Sequence, residues 1–77
     1  MNNARRKRLR EAINTLDEAR CALEEIRDEE QEAFDNLPEG IQYSERGDKM
    51  GEQVQVLDDA YNEVDSALTS LEEMLEG

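Results

Sequence analysis

Eight apolar residues, Met50, Val54, Leu57, Tyr61, Val64, Leu68, Leu71 and Leu75, follow one another at steps of 4 and 3 with no polar interruption. That spacing lays a single stripe along an α-helix and is the a/d seam of a helix packed lengthwise on another. Ala60, Ala67 and Met74 broaden the stripe. A membrane-spanning helix would need a continuous apolar run, and none occurs.

A comparable seam runs earlier through Leu9, Ala12, Leu16, Ala19, Leu23, Ile26, Glu30, Ala33 and Leu37, where only Glu30 is not apolar. Ile13 and Phe34 flank it, as in a helix that touches more than one neighbour. Glu30 is expected to turn its carboxylate outward rather than to fix the register from inside. Asn2 or Asn3 can cap the start, and Asn36 followed by Pro38 signals the end, because proline disfavours helical geometry in the residue before it. The second helix can be capped by Ser44 or Asp48. Since glycine inside a helix costs roughly 0.5–1 kcal/mol relative to alanine, the start is placed near Asp48, with Gly47 outside, and fraying is allowed back to Ser44.

The expected architecture is all-α: one domain, 1–77, folded as an antiparallel two-helix, coiled-coil-like hairpin. The first helix spans about 4–36, a connector about 37–47 and the second helix about 48–75. The connector holds the only proline and two of the four glycines, and its Ile41 and Tyr43 predict a packed segment with a short helical turn after Pro38. A 77-residue hairpin supplies no more than ~3–5 kcal/mol of net stability alone. One cysteine, Cys21, and no histidine leave oligomerisation as the remaining aid, so dimerisation into a helical bundle through Leu16, Leu23, Leu57, Val64 and Leu71 is expected.

Charge is partitioned along the chain. Arg5, Arg6, Lys7, Arg8 and Arg10 crowd the start, and no Lys or Arg follows Lys49, yet the net charge is −12. Basic side chains at a helix N-terminus oppose the helix dipole. Antiparallel packing would answer them with Glu72, Glu73 and Glu76, within one chain or between subunits. Direct nucleic-acid binding is not expected of so anionic a chain. The rows of carboxylates on the second helix can instead imitate phosphates, and Glu52, Asp58, Asp59, Glu63, Asp65, Glu72 and Glu73 are the candidate partner-binding residues.

Residues for catalysis or metal binding are scarce. There is no histidine to act as a base, no basic partner fixed beside Cys21 and no glycine-rich phosphate loop, so no catalytic residue, metal site or cofactor is assigned and no enzyme is expected. A lone thiol and the lack of an apolar leader or membrane segment point to a cytoplasmic protein.

The segment Arg27-Asp28-Glu29-Glu30-Gln31-Glu32-Ala33-Phe34-Asp35-Asn36-Leu37-Pro38-Glu39, continued by Ile41-Gln42 and Ser44-Glu45-Arg46-Gly47, resembles small acidic helical proteins of phages, prophages and other mobile elements in gut-type bacteria. The resemblance covers the end of the first helix, the connector and the start of the second. It implies a mobile-element origin, where short acidic proteins often inhibit bacterial defence.

Two functions follow as expectations. The first is an inhibitor whose acidic helices occupy the basic groove of a host protein such as a restriction or CRISPR nuclease. The alternative is an oligomeric nucleotide-binding sponge, in which Gln42, Tyr43, Ser44, Arg46 and Lys49 of the connector stack on and hold a phosphate-bearing ligand. A structural coiled-coil adaptor is the third class.

Overall fold

The computed structural model describes residues 1–77 and contains three helices: α1 (Asn3–Asp35), α2 (Glu39–Gln42) and α3 (Glu45–Glu76). The long helices α1 and α3 pack against each other as an antiparallel pair, giving a rod of 58 × 14 × 14 Å. Their direction follows from three contacts: Arg6 Nη1 donates to the Leu75 carbonyl (3.1 Å), Arg20 pairs with Asp65 (2.6 Å) and Arg27 with Asp58 (2.8 Å). No helix is long and apolar enough to cross a membrane.

Caps set the helix ends. Asn2 Oδ1 accepts from the Arg5 N–H at 2.9 Å, which satisfies a backbone donor that the first turn cannot. Ser44 performs the same task for α3 by accepting from the Gly47 N–H at 3.5 Å. The second long helix therefore begins at Glu45 and not near Asp48, and both Gly47 and Gly51 lie inside it. Between the long helices, Pro38 leads into the one-turn α2, whose backbone bonds run from Ile41 and Gln42 back to the Pro38 carbonyl.

The α3 stripe packs as its spacing predicts. Leu68 is 2% exposed, and Met50, Val54, Leu57, Tyr61, Val64, Leu71 and Leu75 are half-buried. In α1 the buried stripe differs by one position at alternate steps. Leu9, Ile13, Leu16, Arg20, Leu23, Arg27, Glu30, Phe34 and Leu37 are buried or half-buried, while Ala12, Ala19, Ile26 and Ala33 are exposed. The expected seam therefore held the wrong residue at four places. Arg20 and Arg27 take seam positions because their long stems cover apolar surface while their guanidinium groups reach carboxylates on α3. Leu16, Leu23, Leu57, Val64 and Leu71, expected to join two copies, are half-buried within one hairpin.

Glu30 is half-buried on this seam and lines a groove that also contains Lys49. Within the expected connector Leu37, Gln42 and Ser44 are half-buried and Gly47 is buried. Ile41 and Tyr43 are exposed instead, Tyr43 to 80%. One turn of helix is too short to bury a side chain on each of its sides.

Candidate functional site

The two flanks of the hairpin differ in chemistry. One flank carries the ion pairs. Arg20 bridges Asp17 on its own helix and Asp65 on α3, and Arg27 bridges Asp28 and Asp58 while lying 5.4 Å from the centre of the Tyr61 ring. Hydrogen bonding to Asp65 raises the Arg20 guanidinium above its ordinary pKa, and bonds to Asp28 and then Asp58 do the same for Arg27. Both arginines stay charged wherever the hairpin is folded. They oppose a slip in one direction, because a shift of one heptad that set Arg20 against Asp58 would leave Arg27 opposite Gly51.

The opposite flank is apolar. Ala12, Ala19, Ile26 and Ala33 recur every seven residues on α1, as do Ala60, Ala67 and Met74 on α3. Beside Ile26, an open groove of about 550 Å³ is lined by Ile26, Glu30, Lys49, Glu52, Gln53, Val56 and Leu57. Ile26 and Val56 are 49% and 66% exposed there.

The seven carboxylates expected to form a partner surface divide into two groups. Glu52, Asp59, Glu63, Glu72 and Glu73 are exposed and make no ion pair. Asp58 and Asp65 are half-buried and committed to Arg27 and Arg20, so they act within the hairpin. On α1, Glu18, Glu25, Glu29 and Glu32 add exposed carboxylates that face away from the seam. At the basic end, Arg6 bonds a backbone carbonyl, and none of Arg5, Arg6, Lys7, Arg8 and Arg10 forms an ion pair with Glu72, Glu73 or Glu76.

The connector residues also divide. Gln42 Nε2 donates to the carbonyls of Phe34 (3.2 Å) and Asp35 (3.4 Å), tying α2 to the end of α1. Ser44 Oγ donates to the Ile41 carbonyl and caps α3. Tyr43, Arg46 and Lys49 are exposed, and Lys49 faces the Ile26 groove. The two principal grooves lie along the flanks, and neither is lined by Gln42, Tyr43, Ser44 or Arg46. No group of three His, Cys, Asp or Glu side chains is arranged to hold a metal ion, and Cys21 is exposed and free.

These assignments separate two arginines by stability. Arg27→Ala is expected to lower the melting temperature followed by circular dichroism, because it leaves Asp58 unpaired and uncovers Tyr61. Arg46→Ala removes an exposed side chain that makes no ion pair and should leave the temperature nearly unchanged. Equal losses would mean that Arg46 braces the connector.

The sequence signal for the ion-pair flank is a charge match at one spacing. Arg20 and Arg27 are seven apart, and so are Asp58 and Asp65. A search for apolar periodicity passes over it. No protein-family model, curated protein or solved structure matches this chain.

Proposed function

We propose that this protein is a non-enzymatic, acidic interaction module that binds the basic nucleic-acid groove of a host protein and acts as an oligomer of its hairpin. The observation that carries this reading is the set of unpaired carboxylates on the outer faces of both long helices. Among them are Glu52, Asp59, Glu63 and Glu73 on α3, a helix with no basic residue after Lys49. A net charge of −12 over a 58 Å rod is about one charge per 5 Å, against one per ~1.7 Å in duplex DNA. Such a rod attracts a groove built for phosphate, and the attraction weakens with salt as the screening length drops from ~10 Å at 0.1 M to ~3 Å at 1 M.

The likeness of the connector segment to mobile-element proteins adds the class of partner, a defence nuclease in the host cytoplasm. The nucleotide-sponge reading has less support, since Gln42 and Ser44 are already engaged in holding α2 in place. A plain adaptor would not require so one-sided a charge.

The test is capture of partners from host lysate on immobilised protein, wild type against Asp59→Lys/Glu63→Lys/Glu73→Lys. These three side chains make no ion pair, so the variant should keep its helicity by circular dichroism and lose the partner. Wild-type capture should fall sharply between 0.1 and 1 M salt. Capture indifferent to both changes would refute the proposal. Reversal of Asp58 is avoided because it would break the Arg27 pair.

A further inference from the structure

We infer that the apolar flank formed by Ala12, Ala19 and Ile26 of α1 with Ala60, Ala67 and Met74 of α3 is the seat of a second copy of this chain, giving a twofold four-helix bundle. The inference rests on the oligomeric form proposed above and names the surface that makes it. Three features converge on that face.

The first is asymmetry about the seam. A pair of helices that remains alone shields its seam with charged residues on both sides. Here Asp17, Asp58 and Asp65 guard one side, and the other has alanines, an isoleucine and a methionine at the same helical levels. Small residues there let two helix pairs approach closely, and Ile26, Val56 and Met74, each about half or more exposed, provide the larger side chains that interlock.

The second is area. The hairpin exposes 5781 Å², whereas a compact monomer of 8.9 kDa exposes roughly 4,800 Å². The excess of about 1,000 Å² is close to the ~800 Å² that each partner contributes to a stable interface of ordinary size. Only Ile13 and Leu68 are buried hydrophobic residues, so the seam leucines also gain cover from such packing.

The third is charge. Arg5 falls seven residues before Ala12 and so extends the same flank at its basic end, with Arg8 beside it, and neither has an ion-pair partner in the hairpin. A twofold axis along the rod sets these residues beside the acidic C-terminal turn of α3 in the second copy. An axis across the rod sets them beside the acidic connector end. Either way the basic arm meets carboxylates, and the acidic outer faces of both copies remain free for a partner protein.

The test is mass by sedimentation equilibrium over a concentration series, together with thiol labelling. Wild type is expected at twice the 8.9 kDa chain mass. Ala19→Glu/Ala67→Glu, on the flank, should halve that mass. Asn14→Glu/Ser66→Glu adds the same charge at exposed positions off the flank and should remain dimeric. Labelling keeps the test independent of how the variants fold. Ile26→Cys in a Cys21→Ser background should react more slowly as concentration rises, and Cys21 of wild type should react at one rate throughout. A wild type of single-chain mass at every concentration would overturn both the oligomer and its interface. A dimeric wild type with unchanged mass in Ala19→Glu/Ala67→Glu, equal dissociation of the two variants, or concentration-independent labelling at position 26 would overturn the interface alone.

Discussion

Leu68→Ala is expected to remove about 2–5 kcal/mol, the cost of deleting a fully buried leucine and leaving part of its volume empty. Leu68 is the one large side chain that the hairpin closes over completely, at 2% exposure. Against a net stability of no more than ~3–5 kcal/mol for a lone hairpin of this size, that loss is comparable to the whole margin. Leu23→Ala removes the same atoms from a half-buried site that already borders solvent, so its penalty is smaller. Urea unfolding followed by circular dichroism measures both. Equal costs at the two positions would mean that the burial pattern along the seam is misplaced.

The second large effect is a pair of opposite signs from one kind of substitution. Gly47 is buried in the first turn of α3 with an ordinary helical backbone; no glycine of the chain has positive φ. Its requirement is therefore space and not handedness. A Cβ built at Gly47 overlaps the Gln42 carbonyl and lies 2.7 Å from the Ile41 carbonyl oxygen, which is backbone that cannot rotate away. Gly47→Ala must push α2 off α3, straining the two Gln42 bonds to the end of α1. Overpacking of this kind costs typically ~1–3 kcal/mol and outweighs the helix preference of alanine. At Gly51 a Cβ meets nothing within 4 Å, and Gly51→Ala should stabilise by roughly 0.5–1 kcal/mol. Melting temperatures should thus move down for the first and up for the second. A rise for both would show that α2 is not held against Gly47.

These contrasts show where the fold is legible in the sequence. The α3 seam could be read because all eight of its a/d residues are apolar, whereas the stripe that shares Leu57, Val64 and Leu71 with it runs through Gln53 and the small Ala60 and Ala67. In α1, two stripes share Leu9, Leu16, Leu23, Glu30 and Leu37 and differ only at the alternate steps. Counting apolar residues selects Ala12, Ala19, Ile26 and Ala33 over Ile13, Arg20, Arg27 and Phe34. The choice depends on α3, because an arginine becomes a good seam residue only when an aspartate stands opposite, as Asp65 and Asp58 do. The α3 start was similarly hidden. Helix propensity argues against including Gly47 and Gly51, but the Ser44 cap and the tight passage of α2 over Gly47 win. For the candidate surface, charge sign and helix could be read, while the assignment of Asp58 and Asp65 to the hairpin itself required the register.

The acidic faces are proposed to occupy a site meant for nucleic acid, and competition measures that directly. A captured partner is loaded with fluorescent duplex DNA or RNA and titrated with this protein at about 0.1 M salt, where exposed charges still act over ~10 Å. Wild type is expected to displace the nucleic acid fully, and Asp59→Lys/Glu63→Lys/Glu73→Lys, still helical, should leave it bound. A partner that holds this protein and its nucleic acid together at saturation, with no loss of fluorescence anisotropy, would contradict the account.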